Sequence, residues 1–340
     1  MLDPIFSGRD RSPLNAGLHL LLHNKRLLLW SYLANMLTGL GMGLAYHAQV
    51  SSILDHSLAA QRIAGRLDLS YLVELAQHTS RNGAGVHSLF PLLAIVYVVV
   101  SFILAAGVYT VFSAGEKPTL AVVVRSGIDY FWRFVRLALF AALVSAPTLG
   151  VLFALRNVLL KHADKIYVER SFFFISTGTF LVVALVAVFL RLWFDIAEAT
   201  VIRLGMEGDR RVRRSIFPAF RLLRRRCCYN YSSYFLVGAL GWLGFSFFLW
   251  LWTIAVPPRM VVLAWLVGQL GIGCVLFARI WQRGLVTAIV FSAPASQPFL
   301  AASHPVVSTQ VPLSAPDEEK PEDISGPAAA TQAGPDAQAV

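Results

Sequence analysis

The chain alternates long apolar runs with short polar, cation-rich segments. Six runs, 27–46, 90–112, 137–155, 171–202, 234–256 and 260–291, are long enough to cross a hydrocarbon core of about 30 Å at about 1.5 Å per residue. They predict six transmembrane helices. Between them lie segments with helical periodicity and many cations, which predict amphipathic helices lying at the membrane surface. The first is within 1–26, where Ser12-Pro13 signals a helix start and Leu18, Leu21 and Leu22 supply the apolar positions. A second occupies 113–136 and carries Lys117, Arg125, Arg133 and Arg136. The fold class is therefore all-α, a polytopic bundle of six spans with interfacial connectors.

Two spans carry ionisable groups. Arg191, Asp195 and Glu198 fall on the fourth, and Arg279 and Arg283 on the sixth. Counted from the outer ends, both sets reach a similar depth in the inner part of the bilayer. A lone cation at a helix centre there costs about 2.5–3.5 kcal/mol, so a network is expected. Arg191 and Asp195 would pair one turn apart, with Arg279 and Arg283 reaching across.

Small residues also suggest packing sites. Ala138, Ala142, Ala146 and Gly150 recur every fourth residue in the third span, and Gly39 and Gly43 form GxxxG in the first. Both patterns predict close helix contacts. Pro147 predicts a kink.

Composition agrees with this pattern, since 56% of the 340 residues are hydrophobic and 14% charged. The formal charge of +10 is uneven. Nine arginines fall within 203–226, and Arg210, Arg211, Arg213, Arg214, Arg221, Arg224, Arg225 and Arg226 form a basic patch beside the apolar spans. This segment is expected on the cytoplasmic side. Both termini follow it, with 17 Lys and Arg in the inner segments against 8 in the outer ones. The setting suits anionic lipid headgroups, or a membrane-protein partner, rather than nucleic acid. Residues 293–340 are rich in Pro and Ala, carry a negative balance and are expected to be disordered. The domain plan is a cytoplasmic amphipathic segment (1–26), a six-helix membrane domain (27–292) and an acidic tail (293–340). The first span is expected to stay as a signal anchor.

Candidate chemistry is sparse. The sequence has no HExxH, GxSxG, phosphate-binding loop or dinucleotide fingerprint. His19 and His23 lie one turn apart and read as surface polar residues. The same holds for Asp55, His56, Glu74, His78 and His87 in the 49–88 connection. Cys227 and Cys228 stand at the edge of a span and read as interface packing rather than lipid attachment. No disulfide framework, metal or cofactor is expected.

An internal repeat emerges from two stretches. Thr110-Val111-x3-Gly115 precedes Arg125-Ser126-x4-Phe131, and Thr200-Val201-x3-Gly205 precedes Arg214-Ser215-x4-Phe220. Each unit would be an interfacial helix, a span outward and a span inward, three in parallel orientation. A small residue, three others and a valine (Gly107 to Val111, Ala197 to Val201), then a basic segment with Arg-Ser and an aromatic, resembles bacterial six-helix membrane domains of uncharacterised function. It is similar also to the membrane domain preceding the catalytic domain of some glycerophosphodiester phosphodiesterases. The resemblance implies the bacterial inner membrane and carries over no catalytic residue. The expected role is a non-enzymatic scaffold or accessory protein with a basic cytoplasmic face. The alternative is a small-solute or lipid transporter using the polar residues of spans four and six.

Overall fold

The computed structural model describes residues 12–54, 89–115, 118–166, 169–209, 211–257 and 260–292. These form α1 (Pro13–His23), α2 (Lys25–Leu54), α3 (Leu89–Ala114), α4 (Leu120–Ile166), α5 (Glu169–Met206), α6 (Arg213–Arg225), α7 (Cys227–Ala255) and α8 (Val261–Ser292). All but α1 and α6 are long and apolar enough to span a membrane. Phe173, Leu143, Leu243, Trp250 and Val261 each stand more than half exposed. So wide an apolar surface suits lipid rather than water. The chain is a multi-pass integral membrane protein.

The helices that return to the basic end of the bundle, α3, α5 and α8, pack on one another. Each also packs on its own outgoing partner: α2 on α3, α4 on α5, α7 on α8. The interfacial helices lock the three pairs together. α1 docks on α8, the first turns of α4 dock on α3, and α6 docks on α5. Each interfacial helix thus grips the returning helix of the preceding pair, and α1, having none before it, grips the last.

Small residues on the returning helices make this docking possible. A methyl group added at Gly107 would strike Val123 of α4, and one at Gly284 would meet the Gly17 carbonyl oxygen of α1 at 2.7 Å. Ala197, at the matching position of α5, is wholly buried. Three residues on, Thr110, Thr200 and Thr287 donate their hydroxyls to the carbonyls of Ala106, Ile196 and Arg283, at 2.9, 2.7 and 2.9 Å. Gly284-x2-Thr287-Ala288 is therefore a third copy of the repeated motif, recognisable only once the helices are superposed in this way.

Several expectations change. The connector within 113–136 and the third span are one helix, α4, of 47 residues, about 70 Å long, and it continues through Pro147. Its small-residue row faces away from other helices: Ala142, Ala146 and Gly150 are exposed, and space beside Gly150 is open. α4 instead buries Phe134 and Leu137, with Ala141 and Val144 partly buried behind them. Larger side chains remove more area per contact, so they decide which side faces the bundle. Gly39 and Gly43 also face open space.

The repeat needs one adjustment. Gly115 ends α3 with φ 65°, but its counterpart is Gly208, φ 84°, not Gly205. Gly208 and Asp209 donate to the carbonyls of Gly205 and Leu204, the paired bonds of a Schellman stop. Gly205 lies within α5 under the Tyr130 ring. The expected cytoplasmic tail, 293–340, and most of the 49–88 connection lie outside the described residues.

Candidate functional site

α5, α7 and α8 bring a polar network together inside the basic half of the bundle. Asp195 is fully buried and accepts from three helices. One turn before it on α5, Arg191 donates through Nε at 3.1 Å. From α8, Arg279 donates through both terminal nitrogens, at 2.8 and 3.0 Å. From α7, the Tyr234 hydroxyl donates at 2.5 Å. A carboxylate bound in this bidentate, charge-assisted way is held firmly in position. Gln282 closes the network, donating to the Tyr234 carbonyl at 3.1 Å and accepting from Arg279 at 3.3 Å.

Arg191, Asp195 and Arg279 meet as their spacing implies, but Arg283 does not join Asp195. Among the described residues no ion pair includes Arg283 or Glu198. Arg283 is one turn beyond Arg279 and reaches the axis between α3, α5 and α8. There it shares an electrostatic neighbourhood with Glu198 and Tyr109. Arg283 Nε, Glu198 Oε2 and Tyr109 Oη are buried without a hydrogen-bond partner.

Tyr234, Gln282 and Tyr109 are the members that sequence reading missed. Tyrosine and glutamine in an apolar run carry no charge to mark them. A signal existed for Gln282, because it stands between Arg279 and Arg283 on the helix face that carries both.

The depth of the network follows from its neighbours. Trp193 of α5 donates to the Ile216 carbonyl of α6 at 3.4 Å, and Trp281 of α8 donates to the Leu14 carbonyl of α1 at 3.0 Å. Asp195 and Arg279 are two residues from these tryptophans, so the network is level with the interfacial helices. On the far side α5 runs about 39 Å from Asp195 back to Glu169 and α8 about 27 Å from Arg279 back to Val261, close to or beyond the thickness of the hydrocarbon core.

Two cavities flank α7. One of about 400 Å³ lies between α5, α7 and α8 and is lined by Arg191, Tyr234, Arg279 and Gln282 together with Val188, Phe235, Gly238, Trp242 and Val275. The other, about 710 Å³, lies between α2, α7 and α8 and is almost wholly apolar. Its polar feature is the Tyr32 hydroxyl, which donates to Gln269 Oε1 at 2.8 Å.

The basic patch is built on α6 and the turn before it; Arg210 lies outside the described residues. α6 buries Ser215, Ala219 and Leu223 against α5 and leaves Arg213, Arg221, Arg224, Arg225 and Arg226 exposed, with Arg211 exposed just before the helix. Arg214 turns back to Asp209 at 2.7 Å. The Arg211 backbone N–H, donating at 2.9 Å, and then the Arg214 guanidinium hold the Asp209 carboxyl below its usual range. Arg203 bonds the Val290 carbonyl and Glu207.

His19 and His23 are exposed, with their rings stacked 6.3 Å apart. Cys228 is exposed and Cys227 partly buried at the start of α7. Asp55, His56, Glu74, His78 and His87 lie outside the described residues. Among the described residues no three His, Cys, Asp or Glu gather as a metal site. Comparison with protein-family models, curated proteins and solved structures finds no match to this chain.

Proposed function

We propose that the protein is a non-enzymatic scaffold or accessory protein of the bacterial inner membrane, both termini cytoplasmic, whose basic face engages anionic lipid headgroups or a membrane-protein partner, of which the observations below favour the lipid. The observation that carries this reading is a repeated pairing on the interfacial helices. Arg136 stands over the exposed Trp132 ring at 5.8 Å, and Arg221 over the exposed Phe217 ring at 5.7 Å. Each pair sets an aromatic body for the acyl boundary beside a cation for the headgroups. Each further exposed arginine of α6 adds about 1 kcal/mol of attraction to an anionic leaflet. The placement of these cations beside apolar spans favours lipid over nucleic acid.

Transport through the bundle axis is the weaker reading. The contact between α3, α5 and α8 is packed by Ala106, Tyr109, Ile196, Leu285 and Val286 around the buried Glu198 and Arg283 atoms, and both cavities lie to its side. The experiment is co-sedimentation with nanodiscs that hold the protein, using vesicles with and without anionic lipid. Replacing Arg221, Arg224, Arg225 and Arg226 by Gln should abolish a salt-sensitive attraction to anionic vesicles. Equal capture of both vesicle types by the unaltered protein would refute the proposal. Solute-dependent flux in sealed vesicles would replace it with transport.

A further inference from the structure

The cavity between α5, α7 and α8 has a graded lining. Arg191, Tyr234, Arg279 and Gln282 form its end toward the interfacial helices, while Val188, Trp242 and Val275 line it toward the membrane centre. That gradient matches one orientation of a lipid: headgroup at the interface, chain toward the bilayer midplane. Pockets for amphiphiles combine apolar walls with a few placed polar groups in this way.

Charge selects the headgroup. Arg191 and Arg279 are two guanidiniums against one carboxylate, Asp195, so the network holds one cation in excess. Arg191 spends its Nε on Asp195 yet keeps half of its side chain exposed. It lines the cavity beside Arg279, and a guanidinium is shaped to hold a phosphate. The walls are open enough for entry, with Trp242 and Phe235 exposed along one edge and Gly238 presenting no side chain.

We infer that this cavity holds one anionic phospholipid of the leaflet on the basic side. Its phosphate would lie on Arg191 and Arg279, and one acyl chain would run along Val188, Trp242 and Val275. This goes beyond the basic face proposed above, because it names a single stoichiometric site on the flank of the bundle. The two are separable: the basic face is tested by substitutions on α6, and this site by substitutions on α5 and α7.

The test uses the full-length protein in mild detergent, with bound lipid counted by native mass spectrometry after addition of phosphatidylglycerol or phosphatidylcholine. One phosphatidylglycerol should be retained in preference to phosphatidylcholine. Ala239 of α7 also lines the cavity and takes no part in the ionic network; Ala239→Phe should weaken that retention at least tenfold, and Arg191→Gln should do the same. If Arg191→Gln does not fold, Ala239→Phe decides alone. No preference for the anionic lipid, or retention unchanged in Ala239→Phe, would overturn the site. Inorganic phosphate bound with the same sensitivity to both variants, without retained lipid, would overturn the lipid assignment in favour of a solute anion.

Discussion

Arg279 grips both carboxylate oxygens of Asp195 from a helix 84 residues further along the chain. The pair ties α5 to α8 at the level where the interfacial helices dock. A buried carboxylate that loses its charge leaves its guanidinium partners unpaired, and breaking one side of such a pair costs about 3 kcal/mol. Asp195→Asn should therefore lower thermal stability in detergent clearly. In double-mutant cycles, Arg279→Gln should couple strongly to Asp195→Asn, whereas Arg283→Gln should be additive with it. Coupling to Arg283 in place of Arg279 would show that this geometry is wrong.

Gly17 and Gly284 bring α1 and α8 to backbone contact. A Val at Gly17 should overpack this crossing at a cost of about 1–3 kcal/mol, read as a loss of thermal stability. Ala142→Leu on the exposed side of α4 should leave stability nearly unchanged. The opposite ranking would mean that α1 is held elsewhere and that α4 presents its small residues to a neighbour.

Topology predicts labelling. In a background with Cys227, Cys228 and Cys274 changed to Ser, Arg213→Cys should react with an impermeant maleimide only after cells are opened. Met260→Cys, exposed at the far end of the bundle, should react in intact cells. The reverse pattern would invert the protein in the membrane.

Asp209 gives a pH dependence with a definite sign. Its folded-state acidity lies below the ordinary carboxylate range because the Arg211 amide and Arg214 stabilise its charged form. The stabilisation is complete above that ordinary range and is lost as pH falls through the depressed value. Asp209 lies in a turn at the surface with its side chain partly exposed, so the effect is local. Hydrogen exchange of the α5–α6 turn, corrected for intrinsic rates, should accelerate on acidification, and Asp209→Asn should remove that dependence. A wild-type turn whose protection ignores pH would exclude the interaction.

Much of the architecture was readable from hydropathy, because a helix that must satisfy its own backbone in lipid leaves a long apolar record. Charge was readable for the same reason: Arg191, Asp195 and Arg279 stood out against their surroundings, and two of the three expected pairings are present. The small-residue rows misled, since Ala142, Ala146 and Gly150 describe a smooth surface without saying whether helix or lipid lies against it. Where the interfacial helices dock, the contacts that do need small residues are made by single glycines, such as Gly17, Gly107 and Gly284. A single glycine has no pattern. The third copy of the repeat was hidden likewise, because only Gly284, Thr287 and their spacing survive in α8. Tyr234 was passed over as the start of a span, whereas α7 begins at Cys227 and carries it a further two turns in.

The docking of α1 on α8 has a consequence for biogenesis. Leu14 accepts its hydrogen bond from Trp281, 267 residues later, and at about 5–20 residues per second the ribosome supplies that partner only after roughly 13–50 s. Until then α1 lacks the helix it packs on most closely, and Asp195 is already in the membrane without Arg279. The last helix to be made thus satisfies both the first helix and the buried acid at once. A chain that stops short of α8 therefore leaves two contacts unmade together, the seat of Trp281 on α1 and the Arg279 grip on Asp195.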